Sequence, residues 1–450
     1  MKHLCPTPAF CRRVSVLATL VLMLVSAQSG LPAPGQQSHS LDRESGRTML
    51  ATIKEDIRKN YYDPKFHGID LDTRFREADE KIKQANSMGE ILGIIAEVLL
   101  EFNDSHTMFE PPSITARIEH GWQMQMIGDK CYIVAVQPGS DAEAKGLRPG
   151  DRVVALEGYR FDRSNLWKLQ YTLYLLSPRP SLRVVVEQRD GKQHEYTIAA
   201  KVYQGKSIID LRIGVASDRM TLIREAQTEA RLHAHRYYEV GDDYFIWKMP
   251  EFNLDNSHID EMMDKVRKRK ALILDLRGNT GGSEETLLHL LGCFFDHDVK
   301  VGELKRRKES KPLVAKTNHD RLFKGEVVVL VDSDSASAAE LLARVMQLEK
   351  RGRVIGDRTA GAVMRSREYE HHIGITLLLY YGASVTDADI EMSDGHSLER
   401  FGVTPDETQL PTPADLAALR DPVLAHAASL VGLSISPEKA GMLFPVQWRK

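Results

Sequence analysis

The chain has 450 residues, of which 42% are hydrophobic and 27% are charged, a composition typical of a soluble protein able to bury sizeable cores. Its length suggests about three domains. The net charge of −3 gives no indication of nucleic-acid binding, so we expect no nucleic-acid partner.

The first residues predict export. Lys2, Arg12 and Arg13 precede an apolar run from Val14 to Val25, which is followed by the small-residue sequence VSA. This pattern indicates a secretory signal peptide at residues 1–27, because the apolar run is shorter than the roughly 20 residues that a membrane span needs. We therefore expect a protein of the periplasm or the cell exterior, with no membrane span after the signal is removed.

Two cysteines remain in the mature chain, Cys131 and Cys293. They fall in different predicted domains, so we predict two buried free thiols rather than a disulfide.

Helical periodicity predicts an N-terminal helical domain at residues 41–112. Its clearest helix begins at Ser87, which has capping-box spacing to Glu90. An apolar stripe with helical spacing follows, formed by Ile91, Leu92, Ile94, Ile95, Val98 and Leu99. The double proline at Pro111 and Pro112 marks the predicted boundary.

Residues 115–203 predict a compact, mainly β domain, because short strands alternate there with Gly, Asp and Pro. The stretch VAVQPGSDAEAKGLRPGDRVVALEG, with one short helix at DAEAKGL and a Gly-Asp turn, resembles a PDZ domain. Such domains add a peptide tail to a sheet edge and hold its terminal carboxylate on backbone amides. The resemblance implies peptide binding at HGWQM, through Gly121, Trp122, Gln123 and Met124. A spacer that binds nothing is the alternative.

Residues 204–433 alternate buried-strand patterns with helical patterns. We expect strands at DYFIWKM, KALILDL, EVVVLV, RVIG and GITLLLYYG, and helices at TLLHLLGCFF and AAELLARVMQ. This alternation predicts an α/β domain with both faces of its sheet covered.

Two unusual turns follow buried strands in this domain, LILDLRGNTGGS and VLVDSDSASAAE. Both are predicted at the carboxyl ends of strands, where α/β folds present ligands. A serine between a strand and a helix is often only a helix cap, but one cap does not need three serines. The second turn therefore indicates a nucleophile near the positive end of a helix dipole.

Together with the PDZ-like stretch upstream, this ordered pair of turns resembles the C-terminal processing (tail-specific) proteases and the tricorn protease. The resemblance covers nearly the whole mature chain. It implies a crotonase-like (ClpP/crotonase) α/β protease core with an inserted PDZ-like domain and an N-terminal helical domain. It also implies a serine endopeptidase that hydrolyses peptides or unfolded proteins, engaged through free C-termini, without a metal or organic cofactor.

Matching DSASAAE to the family's nucleophile motif implies Ser337 as the catalytic serine, rather than Ser335 or Ser333. The candidates for the oxyanion hole are the backbone amides of Ala338, Gly281 and Gly282. Three neighbouring polar residues are expected to hold the glycine-rich loop, with a catalytic role as the alternative; they are Asp275, Arg277 and Asn279.

The general base departs from the processing-protease pattern. The family's lysine position falls on Ala362, and the chain has no lysine between Lys350 and Lys439. A Ser-Lys dyad is therefore not expected, and histidine is the usual alternative.

Resemblance to the tricorn branch implies His106 as this base, with Ser105 beside it. In that branch an acidic residue near the C-terminal end completes a relay through the serine, and Glu399 stands at the matching place. Rival bases are His289, His371, His372 and His396, and rival acids are Asp394 and Asp406.

Two further interpretations stay open. The pair His233 and His235 has metal-ligand character but no third ligand at a convincing spacing, which favours two surface histidines. A non-catalytic binding protein is the alternative function, either an apolar-ligand carrier like the related domains of interphotoreceptor retinoid-binding protein or a PDZ-led scaffold. The complete set of Ser337, His106 and the GNTGG loop favours catalysis.

Overall fold

The computed structural model describes residues 34–112, 116–204, 231–374 and 378–449. The predicted signal peptide at residues 1–27 lies outside these ranges, as does part of the strand predicted at GITLLLYYG. Within the described ranges, no helix combines the length and the apolar character that crossing a membrane requires.

The bounds of the elements follow in chain order. The helices are α1 (Pro34–Asn60), α2 (Leu71–Gln84), α3 (Met88–Leu100), α4 (Asp141–Ala144), α5 (Leu166–Gln170), α6 (Asn256–Val266), α7 (Glu284–Gly292), α8 (Ala338–Leu348), α9 (Pro413–Ala417), α10 (Pro422–Leu430) and α11 (Pro437–Leu443). The strands are β1 (Met108–Glu110), β2 (Ala116–Glu119), β3 (Trp122–Ile127), β4 (Lys130–Val136), β5 (Arg152–Leu156), β6 (Ser181–Glu187), β7 (Gln193–Ala199), β8 (Lys201–Gln204), β9 (Arg236–Val240), β10 (Tyr244–Lys248), β11 (Ala271–Asp275), β12 (Val299–Arg306), β13 (Ser310–Ala315), β14 (Glu326–Val331), β15 (Arg353–Gly356), β16 (Arg365–Ile373), β17 (Leu379–Met392) and β18 (Glu407–Thr408).

A six-stranded sheet of order β18-β15-β14-β11-β10-β9 forms the centre of the molecule. Its strands are parallel except β9, which pairs antiparallel with β10. Helices α6, α7 and α8 pack on one face, and α10 and α11 pack on the other. This confirms the predicted α/β arrangement, since an apolar run such as EVVVLV suits a strand that is buried on both faces.

A second sheet lies beside the N-terminal helices: its long strand β17 pairs with β1, β12 and β16, and β12 also pairs with β13. Helices α1, α2 and α3 share one hydrophobic cluster with it, including buried Phe109, Tyr381 and Val385. The helical region predicted at residues 41–112 therefore shares its core with this sheet.

The helix predicted from the Ser87 cap begins at Met88. Ser87 Oγ accepts a hydrogen bond from the Glu90 amide at 3.2 Å, as the capping-box spacing predicted. The Glu90 carboxylate accepts from the amide of Asn86, one residue before the predicted partner, at 2.8 Å.

Strands β3 to β7 form a separate antiparallel sheet with its own hydrophobic cluster, and β2 pairs with β8 beside it. Cys131 is buried in this cluster and Cys293 in the core beside the parallel sheet. Both are free thiols, as predicted, and burial raises the pKa of each to about 12.

The edge strand β3 of this module contacts the loop that follows β14. Gln125 Nε2 donates to Asp332 Oδ2 at 2.7 Å and to Asp334 Oδ2 at 2.9 Å. Ser333 Oγ donates to the carbonyl of Met126 at 2.6 Å. The module is thereby seated directly against the serine-rich turn.

Asp104 joins the end of the helical region to the second sheet. Its buried carboxylate accepts from Tyr61 Oη at 2.8 Å, from Thr386 Oγ1 at 2.8 Å and from the amides of His106 and Thr107 at 3.0 and 2.6 Å. These donors come from Tyr61, which directly follows α1, from Thr386 of β17 and from the loop itself, so the loop that carries His106 is tied to two other parts of the fold.

We expect Tyr61→Phe to lower the free energy of unfolding by about 1 to 3 kcal/mol, because it leaves a buried carboxylate oxygen without its donor. Urea unfolding followed by circular dichroism measures this loss. Tyr62→Phe is the matched control, since the Tyr62 hydroxyl bonds the more exposed His67. Equal losses in the two variants would contradict the role given to Asp104.

Candidate active site

The serine-rich turn brings Ser337 to the carboxyl edge of the parallel sheet, between β14 and α8. Ser337 has φ 53° and ψ −117°, a backbone conformation that residues other than glycine rarely adopt. Its amide donates to the Ala362 carbonyl at 2.8 Å and to Glu340 Oε2 at 3.0 Å. Such strain persists only where the surroundings impose it, and it is common at functional sites.

The glycine-rich loop after β11 packs directly on this serine. A Cβ atom on Gly281, whose φ is 98°, would lie 2.6 Å from Ser337 Cβ and 3.1 Å from Ser337 Oγ. A Cβ atom on Gly282 would lie 2.5 Å from the Phe252 carbonyl oxygen. Only glycine permits this approach at either position.

The three amides predicted for an oxyanion hole differ in their partners. The Gly281 amide already donates to Asn279 Oδ1 at 2.8 Å. Within the described part of the chain, no hydrogen bond occupies the amides of Gly282 and Ala338. Ala338 is the first residue of α8, so its amide adds to the positive end of the helix dipole.

The polar residues expected to hold the glycine-rich loop are engaged in structural contacts. Asn279 is buried, and its Nδ2 donates to the Met249 carbonyl at 2.8 Å. Arg277 bonds the carboxylates of both Asp275 and Asp421. Although burial opposes ionisation, the charges of Arg277 and Lys248 lower the pKa of Asp275.

The other two serines of the turn hold the loop. Ser335 is fully buried, donates to the Leu276 carbonyl at 2.8 Å and accepts from the Asp332 amide at 2.9 Å. Ser333 bonds the Met126 carbonyl of the β module. Ser337 is the serine of this turn that lines a cavity of about 230 Å³.

His106 lines the same cavity as Ser337. The four rival histidines are not among the residues that line it: His289 contacts Asp260, His371 contacts Asp56, His372 lies against Tyr380, and His396 is exposed beside Asp394. The structure thus brings His106, and none of these rivals, to Ser337.

A chain of hydrogen bonds extends from His106 away from the cavity. His106 Nδ1 lies 2.7 Å from Ser105 Oγ, which donates to Glu399 Oε2 at 2.8 Å. The Ser105 amide donates to Glu399 Oε1 at 2.8 Å. An ionised carboxylate only accepts, so Ser105 Oγ gives its proton to Glu399 and accepts from Nδ1–H. Nε2 of the neutral ring is then left as the acceptor.

Burial disfavours the charged forms of His106 and Glu399, the two ends of this series of hydrogen bonds. It lowers the pKa of His106. It also raises the pKa of Glu399, although hydrogen bonds from Val363 and Ser105 oppose the rise. A histidine whose pKa is lowered is neutral at pH 7, which is the form that accepts a proton.

The rival acids lie elsewhere. Asp394 bonds Arg344, and Asp406 accepts from Gln347 and from the Val354 amide. Ala362, at the family's lysine position, contacts Ser337 through its carbonyl and brings no ammonium group.

The pair His233 and His235 takes part in local contacts. His235 accepts from Trp247 Nε1 at 3.2 Å, and His233 lies 3.4 Å from Glu251.

One residue near Ser337 was not singled out from the sequence. Glu340, in the first turn of α8, is fully buried and bonds the Ser337 amide. An acidic residue on the apolar face of a predicted helix was the available signal, because buried carboxylates are rare unless they are paired or hydrogen-bonded.

A half-buried serine in a strained strand-to-helix turn, with a histidine and a carboxylate relay at the carboxyl edge of an α/β sheet, is the arrangement of the serine hydrolases. Residues 246–409 match the model of peptidase family S41. This part of the chain is therefore similar to the peptidases of that family.

Curated relatives extend the similarity beyond this domain. The chain is 26% identical to the tail-specific protease of Haemophilus influenzae over 363 residues, covering 74% of the chain and 49% of that protein. It is 22% identical to the carboxy-terminal processing protease CtpA of Bacillus subtilis over 414 residues, covering 90% and 77%. The chain therefore spans about half the length of the Haemophilus protein.

The fold is similar to a solved structure, that of mature CPAF. The match has a TM-score of 0.62 at 14% identity and covers 84% of this chain and 94% of that one. This likeness concerns the fold alone.

We expect Glu399→Gln to lower kcat with little change in KM, by less than His106→Ala, because the carboxylate acts on the histidine through Ser105. Ser105→Ala should lower kcat similarly. The two changes together should cost less than the sum of the single costs, since residues that act as one unit are not additive. Steady-state peptide hydrolysis by the two single variants and the double variant measures this.

Asp406→Gln is the control, because Asp406 contacts neither Ser105 nor His106. Strictly additive losses, or an unchanged kcat in Glu399→Gln, would argue against the relay.

Proposed function

We propose that the protein is an exported serine endopeptidase that hydrolyses peptide bonds in unfolded or C-terminal polypeptide segments through an acyl-enzyme on Ser337. One observation carries the proposal. Residues far apart in the sequence, Ser105 and Glu399, hold His106 in a hydrogen-bonded relay beside the cavity that Ser337 lines.

In the proposed mechanism His106 Nε2 takes the proton of Ser337 Oγ as Oγ attacks the carbonyl carbon of the scissile bond. The amides of Ala338 and Gly282 stabilise the resulting oxyanion. His106 then protonates the leaving amine, and an acyl-enzyme ester remains. Water hydrolyses this ester by the reverse proton transfers, while Ser105 and Glu399 stabilise the imidazolium at each stage.

We assign residues 41–112 to an N-terminal helical domain, residues 115–203 to a PDZ-like domain and residues 204–433 to a crotonase-like protease core. The independent sheet and hydrophobic cluster of β3 to β7 support the second assignment. The carboxyl-edge loops of the parallel sheet support the third, since they carry the proposed catalytic residues.

The PDZ-like domain is proposed to receive the substrate's C-terminus. Strand β3 lies at the edge of its sheet and lines a groove of about 810 Å³ between that sheet and the core. A peptide could pair with this edge, and the loop at Gly121, with φ 72°, would present amides to its carboxylate. Trp122, Gln123 and Met124 would flank the bound end.

The substrate residue before the scissile bond is proposed to be apolar. Large apolar side chains form most of the lining of the cavity beside Ser337, and Glu284, Arg365 and Ser366 line it as well; the apolar residues are Leu287, Leu313, Leu341, Met364 and Ile390. Side chains of leucine or methionine size bury well in such surroundings. A cavity of about 230 Å³ suits one side chain better than the larger pocket that the alternative function, an apolar-ligand carrier, requires.

We expect a fluorophosphonate probe to modify Ser337 alone, because only an activated serine attacks phosphorus at a useful rate. Mass spectrometry of the labelled protein locates the modified residue. Ser337→Ala should lose both the labelling and the hydrolysis of peptides with an apolar residue before the cleaved bond, and should keep its melting temperature. Full turnover by Ser337→Ala, or labelling at another serine, would refute the assignment.

We expect amidation of a peptide's C-terminus to weaken its binding, because it removes the carboxylate that the Gly121 loop is proposed to hold. Calorimetry with the full-length Ser337→Ala variant compares free and amidated peptides without cleavage. Equal affinities would leave the module as a spacer.

A further inference from the structure

The Glu340 carboxylate is buried three residues after the proposed nucleophile. It is 0% exposed, yet it forms no ion pair within the described ranges of the chain. Hydrogen bonds satisfy it instead. Oε2 accepts from the amides of Ser337 at 3.0 Å and Ala362 at 2.9 Å, and Oε1 accepts from the Gly361 amide at 2.8 Å and from the Thr359 hydroxyl.

Every one of these four partners is a donor. An ionised carboxylate has about four acceptor positions and suits such surroundings, whereas a protonated one needs an acceptor for its own hydrogen. The arrangement therefore fits the ionised form, despite the burial.

The partners of Glu340 connect the nucleophile to the relay. The Thr359 hydroxyl also accepts from the Val403 amide at 2.6 Å, and Val403 lies four residues after Glu399. The segment that bonds Glu340 through Gly361 and Ala362 continues to Val363, whose amide donates to Glu399 Oε2 at 2.9 Å. Glu340 thus touches both the turn that carries Ser337 and the loop that contacts the relay carboxylate.

The bond to the Ser337 amide bears on the strained backbone at that residue. With φ at 53°, Ser337 relaxes to a more favourable conformation unless its amide is held. The Glu340 and Ala362 acceptors hold it, and they also commit the Ser337 amide, which leaves the Ala338 amide to face a substrate. A rotation at Ser337 would move Oγ and the Ala338 amide together.

We propose that Glu340 is a positioning residue for the reaction, whose ionised carboxylate holds the Ser337 turn in register with the Glu399 end of the relay. The inference rests on the proposed peptidase function. Glu340 acts through Ser337 and the loop at residues 359–362 and does not touch the substrate.

A pH dependence follows from this role. Burial raises the pKa of Glu340 to about 7, against the opposing effect of its hydrogen bonds. Protonation replaces an acceptor by a donor, so one partner is lost and the turn loosens. Activity should therefore fall as the pH decreases through about 7, above the lowered pKa of His106.

Other charged groups lie in the segments around Glu340, and the test must distinguish their effect on the pH profile from that of Glu340. They are Asp334, Arg344, Asp357, Arg358, Glu399 and Arg400, together with His106 in the cavity. Most are engaged elsewhere: Arg344 bonds Asp394, Asp357 bonds Arg163, and Arg400 bonds the Asn103 carbonyl. Asp334 is the important rival, because desolvation and the neighbouring Asp332 raise its pKa to about 7 as well.

The test is the pH profile of kcat and of kcat/KM for full-length wild type, Glu340→Gln and Asp334→Asn, with one peptide substrate. Glu340→Gln should lower kcat roughly tenfold to a hundredfold at pH 8 and leave KM within about twofold, as expected when a reacting group is misplaced. The acid limb of the Glu340→Gln profile should lie at a lower pH than that of wild type, toward the pKa of His106. Asp334→Asn should keep the wild-type limb.

A milder pair of variants guards against loss of folding in Glu340→Gln. Thr359→Val removes one hydroxyl donor and should lower kcat, whereas Thr359→Ser keeps the hydroxyl and should restore most of it. Melting temperatures identify any variant that is merely unfolded.

Wild-type kcat in Glu340→Gln, or an acid limb that moves only in Asp334→Asn, would overturn the proposal. So would equal activity in Thr359→Val and Thr359→Ser. Fluorophosphonate labelling of wild type separates the two levels of inference, because absent labelling refutes the peptidase itself and normal labelling with unaffected variants refutes only the role of Glu340.

Discussion

The hydrogen bonds of the buried Asp104 carboxylate are the constraint on which the site depends. They tie the loop that carries His106 to Tyr61, directly after α1, and to Thr386 of β17, whereas Ser337 belongs to a turn of the parallel sheet. The histidine and the serine therefore come from different layers of the molecule. Their approach is set by how the N-terminal helices pack on the second sheet, and the helical region contributes to the chemistry through that packing.

Much of the parallel core was predictable because its elements are locally simple. The strand β14 is a continuous apolar run and α8 has a regular apolar stripe, so both follow from periodicity. Strands β12, β13 and β16 were missed, since the many charged residues in sequences such as VKVGELKR hide the alternation. The shared core of the helices and β17 could not be predicted either, because a local pattern shows which face of an element is apolar but not which other element covers that face.

The site residues also divide into those that the local sequence predicts and those that it does not. Ser337 and the glycine-rich loop follow from local spacing, but the link from His106 through Ser105 to Glu399 spans 294 residues and came only from resemblance. Glu340 was not singled out, since a glutamate in the first turn of a helix usually lies at the surface, where it complements the dipole. Its burial depends on the loop at residues 359–362, which follows β15 and bonds the carboxylate. No property of the helix sequence alone reports that contact.

The two buried thiols affect whether unfolding of the protein is reversible. Cys131 and Cys293 lie in separate hydrophobic clusters, so the native fold gains nothing from an oxidising environment and loses nothing in a reducing one. Unfolding changes this, because exposure returns each sulfur to an ordinary thiol that can form a mixed disulfide or cross-link to another chain. In an oxidising compartment such capture makes denaturation a one-way process. The working lifetime of the protein there is then governed by the rate at which its two clusters open rather than by an equilibrium between folded and unfolded chains.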